Sequence, residues 1–155
     1  LAPVLAALGC NILHATRRPL PDALGHRRSL EALLAEADVV SLHLPLTEET
    51  EGLIGAASLA RMKPSAVLVN TARGGLVDQE ALTEALRSGH LGGAGLDVFA
   101  HEPTRASEAL FALPNVVVTP HVAWLTTGTF DRSFALAAEN CRRLEAGGPL
   151  LHRVE

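Results

Sequence analysis

The chain has 155 residues, of which 48% are hydrophobic and 19% are charged, and its formal net charge is −4. This length suits one domain with a buried core, the acidic balance gives no basic footprint for nucleic acid, and no apolar run reaches the roughly 20 residues of a membrane span. Cys10 and Cys141 lack metal or redox spacing, so we expect buried free thiols in a reducing cytoplasm.

The first predicted element is a helix over residues 1–8, because apolar side chains recur there at helical spacing and Gly9 suits the position after a helix end. Neither a Met nor a capping residue precedes it, which indicates a start inside a helix, as in a fragment of a longer protein. A strand follows at residues 10–16. The next stretch is predicted to be a loop because of Pro19, Pro21 and Gly25.

Helices and strands then alternate along the chain. Ser29 caps a predicted helix that ends near Glu36, and an apolar strand over residues 38–44 ends at Pro45. Residues 48–62 are expected to form two short helical turns, since two glycines interrupt them. The next strand, at residues 67–70, is expected to be fully buried because its run is apolar until Asn70.

The second half continues the alternation. Asp78 caps the clearest helix, residues 79–88, which Gly89 ends. Short apolar runs at residues 94–99 and 116–120 predict two further strands, with at most a short helix at residues 107–113. A long helix from about residue 127 to 145 carries an apolar stripe: Phe130, Phe134, Ala137, Ala138, Cys141 and Leu144. This order predicts an α/β fold with a doubly wound parallel sheet.

Charged side chains follow three of the predicted strands. Arg73 comes after the first of them, Asp97 and Glu102 lie at and beyond the end of the second, and His121 follows the third directly. Carboxyl ends of parallel strands share one edge of the sheet, which is where ligands bind in open α/β sheets. We therefore expect these four side chains to gather at one site.

Four spaced motifs resemble those of the D-isomer-specific 2-hydroxyacid dehydrogenases. They are S-L-H-L-P-L-T at residues 41–47 with Thr50, N-T-A-R-G-G at 70–75, G-L-D-V-F at 95–99 with Glu102-Pro103, and T-P-H-V-A at 119–123. The order H-V-A-W at residues 121–124 is most similar to the glycerate dehydrogenase and hydroxypyruvate or glyoxylate reductase branch. Several motifs in the right order over nearly the whole chain make the resemblance specific.

The resemblance implies an incomplete Rossmann-like domain. The family's N-terminal substrate domain, first strand and glycine-rich turn have no counterpart here, so the pyrophosphate cradle would be missing. Residues 1–126 would form the partial NAD(P)-binding domain, and residues 127–155 a long C-terminal helix that returns towards the absent substrate domain. We expect no significant activity from residues 1–155 alone, and the family's habit implies a homodimer.

The resemblance also implies the chemistry of the site. Arg73 would bind the carboxylate of a small 2-oxo acid, His121 would protonate the carbonyl oxygen as hydride arrives, and Glu102 would hydrogen-bond the imidazole. The plainer alternatives are a surface arginine, a structural histidine and an exposed loop glutamate. Gly74 and Gly75 are expected where a side chain would block a close backbone approach.

A second group of residues is expected around the nicotinamide and ribose. Asp97 would contact the nicotinamide carboxamide, unless it only accepts local backbone donors at its strand end. Pro45 and Thr50 are equally compatible with turn residues. The full set implied on the cofactor side, apart from the end of the first strand, is Pro45, Thr50, Thr71, Ala72, Arg73, Asp97, His121, Ala123 and Trp124.

Cofactor preference follows from charge at the end of the predicted strand 10–16. An acidic residue there binds the ribose 2′-hydroxyl in NAD enzymes, whereas an arginine nearby accommodates the 2′-phosphate of NADP. Here the strand ends in Thr16, Arg17 and Arg18 with no carboxylate, so NADP(H) is favoured over NAD(H). The alternative is that both arginines simply solvate a loop.

Together these inferences predict a cytoplasmic NADP(H)-dependent reductase of a small 2-oxo acid, glyoxylate or hydroxypyruvate. One alternative within the enzymes is a dehydrogenase of 3-phosphoglycerate or D-lactate, because specificity depends largely on the absent domain. An alternative of another class is a non-catalytic dinucleotide-sensing module similar to the family's corepressor relatives. No nucleic acid, membrane or metal partner is expected.

Overall fold

A computed structural model describes residues 1–17, 21, 24–105 and 108–153. The chain divides into two compact units, Leu1–Pro120 and His121–Glu155. The strands described below belong to the first unit, and one long helix dominates the second.

The first unit contains parallel strands in two groups. β1 (Leu13–His14) pairs with β2 (His26–Arg27), and the larger sheet has the order β3-β4-β5-β6. In the described part of the chain β1 and β3 each pair with one strand only, so the parallel arrangement is interrupted between them. The predicted incomplete parallel sheet is confirmed. Its four-stranded part consists of Val39–Leu42, Val67–Asn70, Gly93–Leu96 and Val116–Val118.

Four helices accompany these strands. Ser29 caps α2 by accepting a hydrogen bond from the Ala32 amide at 3.2 Å, and Asp78 caps α4 by accepting from Glu80 and Ala81, as predicted. α2 packs against α3, and α3 against α4. Within the described residues, the helices are α1 (Ala2–Ala7), α2 (Leu30–Glu36), α3 (Ala56–Arg61) and α4 (Gln79–Arg87), and 3₁₀ turns span Gly74–Leu76 and Ala109–Ala112.

The core is built mainly from leucines on one face of the sheet. Leu68 of β4 is completely buried, and α2, α3 and α4 each contribute a leucine that is 1% exposed. Val67 and Val69 are only half-buried, so the expectation of a fully buried strand is wrong. Successive strand residues point to opposite faces, and within the first unit only one face is completely covered.

Other sequence expectations also need correction. β2 lies in a stretch expected to be loop, because two residues are too few to show a strand pattern. Residues 48–62 contain a turn and one helix, α3, rather than two helical turns. The apolar run before His121 is typical of a buried strand, but in β6 Val117 is 71% exposed.

Both cysteines are exposed free thiols, so the prediction of buried thiols is wrong. Cys10 follows α1, which contains no buried residue. Cys141 lies on the long helix α5 (Thr129–Glu145), which also contains none. The apolar residues on these two helices have the spacing of a buried stripe but lie on open surfaces.

The second unit consists of a turn and α5, close to the predicted span. α5 begins after Gly128, whose φ of +78° lies in the left-handed region that glycine adopts easily. The rings of Phe130 and Phe134 stack with centroids 6.2 Å apart. Among the helices of the described residues, none combines the length and the apolar character needed to cross a membrane.

Candidate active site

The loops that follow the strands of the larger sheet lie at one edge, because the strands are parallel. Backbone hydrogen bonds join the loop after β3 to the loop after β4: the Gly52 amide donates to the Gly75 carbonyl at 2.9 Å, and Ile54 to Leu76 at 3.0 Å. The carboxyl edge is therefore a connected surface rather than a set of independent loops.

Arg73 is held in place by a buried side chain beneath it. Asn70, at the end of β4, is 1% exposed. Its Oδ1 accepts a hydrogen bond from the Ala72 amide at 3.0 Å, and its Nδ2 donates to the Arg73 carbonyl at 2.9 Å. The backbone that carries Arg73 is thus fixed, while the Arg73 side chain is exposed and donates to the Ala72 carbonyl at 2.6 Å.

Gly74 brings the Arg73 loop against the loop that carries Glu102. A Cβ atom on Gly74 would lie 1.9 Å from the carbonyl carbon and oxygen of Phe99 and 2.6 Å from the Ala100 nitrogen. The predicted close approach is confirmed here. Glu102, which is exposed, accepts a hydrogen bond from the Phe99 amide at 2.9 Å, so its carboxylate is held over its own loop.

Asp97 is buried at the end of β5, with 2% exposure. Its Oδ1 accepts a hydrogen bond from the Thr119 hydroxyl, and its amide donates to the Asn70 carbonyl at 3.0 Å. These contacts connect the ends of β4, β5 and β6. The Thr119 donor to the Asp97 carboxylate is a side-chain hydroxyl rather than a backbone amide, and a role of Asp97 towards nicotinamide stays a prediction.

Pro45 and Thr50 form a turn after β3. The Thr50 hydroxyl donates to the Pro45 carbonyl at 2.8 Å and accepts from the Thr47 amide at 2.8 Å. Thr50 is 7% exposed, so its hydroxyl serves this turn. Of the remaining residues expected near the cofactor, Thr71 is exposed and Ala72 is half-buried in the Asn70-bound loop.

His121 belongs to the second unit. Its φ is +55°, a left-handed conformation that is uncommon outside glycine and clusters at functional sites. The Trp124 indole donates to the His121 carbonyl at 2.9 Å, and its ring meets Phe130 edge-on at 5.7 Å. Ala123 is exposed between them. Because Glu102 lies in the first unit, the His121–Glu102 pair stays a prediction.

The end of β1 is basic, but a carboxylate from another part of the chain lies beside it. Arg17 forms an ion pair with Glu49 at 2.9 Å, with both side chains 74% exposed. The sequence around the end of β1 contains no carboxylate, but in the folded chain the turn after β3 places the carboxylate of Glu49 beside Arg17. Arg27 of β2 donates to the Thr16 carbonyl at 3.2 Å. Arg18 lies outside the described residues.

Cationic side chains occur at two places among these loops. Exposed guanidinium groups near the end of β1 can donate to a phosphate group, and the loop after β4 presents Arg73. The sequence contains no G-x-G-x-x-G turn for the pyrophosphate. The roles of Thr16, Arg17, Arg73 and Asp97 towards cofactor or substrate stay predictions.

Sequence reasoning missed three contributors to this edge. An Asn at the end of a strand is a signal for side-chain bonding to nearby backbone, so the role of Asn70 was detectable. Arg27 and Glu49 approach the end of β1 only through folding, and no spacing along the chain indicates it.

Comparison with known proteins gives consistent matches. The family model "D-isomer specific 2-hydroxyacid dehydrogenase, NAD binding domain" matches residues 1–123. Glycerate dehydrogenase of Methylorubrum extorquens is 48% identical over 122 residues, which are 77% of this chain and 39% of that protein. Glyoxylate reductase of Aeropyrum pernix is 46% identical over 144 residues, which are 90% of this chain and 43% of that protein.

A solved structure agrees over nearly the whole fold. A D-isomer specific 2-hydroxyacid dehydrogenase from Xanthobacter autotrophicus Py2, in complex with NADPH and MES, has a TM-score of 0.86 and 39% identity, covering 99% of this chain and 64% of that one. The chain spans less than half the length of the two curated relatives. Because the family model matches most of its residues, the chain belongs to the D-isomer specific 2-hydroxyacid dehydrogenase family, and the matched part is the NAD-binding domain.

Proposed function

We propose that the complete protein uses NADPH to reduce a small 2-oxo acid, glyoxylate or hydroxypyruvate, to the 2-hydroxy acid. The observation that carries this proposal is the Arg73 loop, which Asn70 and Gly74 fix at the carboxyl edge beside Asp97 and Glu102. A rigid loop presenting an exposed guanidinium suits recognition of a planar carboxylate. The two curated relatives, a glycerate dehydrogenase and a glyoxylate reductase, support this substrate class.

In the proposed mechanism Arg73 binds the substrate carboxylate and thereby orients the carbonyl group. The reduced nicotinamide, when bound, supplies a hydride to the carbonyl carbon. His121 gives its proton to the carbonyl oxygen in the same step, so the product is a neutral hydroxyl, and the reverse reaction uses His121 as a base. Glu102 would hydrogen-bond the imidazole and orient it.

The cofactor side of the proposal includes the residues of both units. Asp97 would contact the carboxamide, and Thr16, Arg17 and Arg18 would favour NADP(H) over NAD(H). The remaining residues proposed to border the nicotinamide and ribose are Pro45, Thr50, Thr71, Ala72, Ala123 and Trp124.

Domain roles, location and assembly extend the proposal. Residues 1–126 would serve as the partial dinucleotide-binding domain, and residues 127–155 would return towards a substrate domain. The exposed free thiols of Cys10 and Cys141 suit a reducing cytoplasm. The family resemblance implies a homodimer formed through the nucleotide-binding domain.

The test is an assay of the complete product of the gene that encodes this chain. NADPH and NADH oxidation would be followed at 340 nm with glyoxylate, hydroxypyruvate and pyruvate. We expect turnover with the first two and kcat/KM at least about threefold higher for NADPH. We expect His121→Gln to lower kcat about 100-fold or more while dinucleotide binding persists, because it removes the proton donor.

Other outcomes assign the protein differently. Dinucleotide binding without turnover of any 2-oxo acid would support a sensing module. Turnover that favours NADH would overturn the NADP(H) preference alone, and an unchanged kcat in His121→Gln would remove the acid role. Residues 1–155, assayed separately, are expected to show no significant turnover, because binding of the pyrophosphate needs a turn that they lack.

A further inference from the structure

We propose that Arg27 is a specificity-determining residue that binds the 2′-phosphate of NADP(H). The inference rests on the proposed function, because it deepens the cofactor preference of the same site. It assigns the main contact to a residue on β2, beyond the arginines at the end of β1.

The pairing of β1 with β2 brings Arg27 to the proposed 2′-phosphate site. The two strands are parallel, and His14 is the register partner of Arg27, so both strands end together. The Arg28 amide donates to the His14 carbonyl at 2.9 Å. Arg27 Nη2 donates a hydrogen bond to the Thr16 carbonyl at 3.2 Å, so its guanidinium lies at the end of β1. Successive side chains of a strand point to opposite faces, so the side chain of Arg28 points away from that of Arg27.

The arginines around this site differ in how their charges are compensated. Arg17 is paired with Glu49 at 2.9 Å, and Arg28 is paired with Glu36, whose carboxylate oxygens lie 2.9 and 3.1 Å from Nε. Among the described residues, the Arg27 guanidinium has one hydrogen-bond partner, the neutral backbone carbonyl of Thr16. Among these three described arginines, Arg27 is therefore the one whose charge has no carboxylate partner within the described residues.

The chemistry of Arg27 suits a phosphate in particular. A guanidinium has five N–H donors in a planar fork, and the Thr16 carbonyl occupies one nitrogen of it. The remaining donors and the exposed position allow a charge-assisted contact with a phosphate dianion. The ribose 2′-hydroxyl of NADH offers no charge, so the same residue contributes little to NADH binding.

The experiment compares Arg27→Gln with Arg28→Gln in the complete gene product. Equilibrium dissociation constants for NADPH and NADH would be measured from the fluorescence of the reduced nicotinamide, without a substrate. We expect Arg27→Gln to weaken NADPH binding about tenfold or more and NADH binding less than about twofold, because one charge-assisted contact is lost. The neighbouring Arg28→Gln serves as a matched control and should change both constants less than about twofold.

A second pair of variants separates a ligand contact from a structural role. Arg27→Lys retains the charge and should recover part of the NADPH affinity. Glu49→Gln releases Arg17 and should strengthen NADPH binding a few-fold without changing NADH binding, since it removes a carboxylate near the phosphate. Equal losses for NADPH and NADH in Arg27→Gln would instead assign Arg27 to the structure of β1 and β2, and would overturn the inference.

The failure of this inference is distinguishable from that of the proposed function. If the unmodified protein prefers NADPH and Arg27→Gln keeps that preference, only the role of Arg27 is refuted. If the unmodified protein binds NADH more tightly or binds neither dinucleotide, the cofactor proposal itself fails, and the inference fails with it.

Discussion

At the scale of single residues, the conformation of the Arg73 loop depends on two residues that take no part in the proposed reaction, Asn70 and Gly74. Asn70 satisfies both an amide and a carbonyl of the loop from a buried position, and buried polar groups of this kind are costly to leave unpaired. Gly74 allows the loop to lie directly on the backbone of Phe99. The position of Arg73 is therefore decided by contacts of the main chain beneath it.

This close contact makes Gly74→Ala disruptive. The new methyl group would overlap the Phe99 carbonyl, and a backbone group cannot move aside as a flexible side chain can. We expect a loss of about 1–3 kcal/mol in the free energy of unfolding, measured by urea denaturation, together with a higher KM for the 2-oxo acid in the complete protein.

Gly95→Ala on β5 is the matched control for this substitution. Its Cβ would meet only Val69 Cγ2 at 3.9 Å, an ordinary contact, so we expect a change within about 1 kcal/mol. Equal stability of Gly74→Ala and the unmodified protein would show that the two loops separate readily, and would contradict the fixed position of Arg73.

The sequence predicts residue roles well where they depend on local chemistry. The caps at Ser29 and Asp78 and the close approach at Gly74 follow from residue type and position alone. The approach of Glu49 to Arg17 and of Arg27 to Thr16 depends on loops whose paths no local pattern specifies. The charge at the end of β1 could therefore be only partly predicted.

At the scale of elements, helical periodicity predicts position better than environment. The span of α5 was predicted to within about two residues, and its apolar stripe is present, yet no residue of the helix is buried. Phe134 is 69% exposed. Periodicity reports which residues share a face, whereas burial depends on what covers that face, which the helix sequence does not contain. β2 could not be predicted from periodicity at all, because a strand of two residues is too short to show an alternating pattern.

The last turns of α5 contain ion pairs that predict a pH dependence. Hydrogen bonds from Arg142 and then Arg143 hold the pKa of Glu139 below its ordinary value. A lowered pKa means that the charged form is favoured in the folded state, so the stabilisation is present above the unfolded-state pKa and is lost as pH falls through the folded-state pKa. We expect Glu139→Gln to lower the thermal midpoint slightly at neutral pH, and to lower it less at an acid pH below the folded-state pKa of Glu139, where the carboxylate is protonated.

Circular dichroism melts at both pH values would check this expectation. Glu145→Gln on the same helix is the control, since Glu145 forms none of the ion pairs found among the described residues. A destabilisation by Glu139→Gln that is as large at the acid pH as at neutral pH would assign its effect to helix propensity instead of charge.

At the scale of the whole molecule, stability should be distributed unevenly between the two groups of strands. β4 and β5 are flanked by strands on both sides and supply fully buried residues, whereas β1 and β2 are two residues long and form a separate pair. Parallel pairing and the α/β class were predictable from the alternation of elements. The family resemblance also predicts an incomplete sheet, and the structure shows the interruption between β1 and β3.

Native-state hydrogen exchange would measure this distribution. The amides of Ala94 and Asp97 donate within the core to Asn115 and Asn70. Those of His26 and Arg28 donate to the carbonyls of Ile12 and His14, at a strand pair that is half-buried in β1 and exposed in β2. We expect protection at least about 100-fold higher for the first two, because local opening there requires disruption of the core. Equal protection would mean that both groups unfold as one unit. Higher protection of Ala94 and Asp97 would mean that the Arg73 loop lies on the more stable group of strands. The proposed 2′-phosphate site would then lie on the less stable group, which a bound dinucleotide can stabilise most.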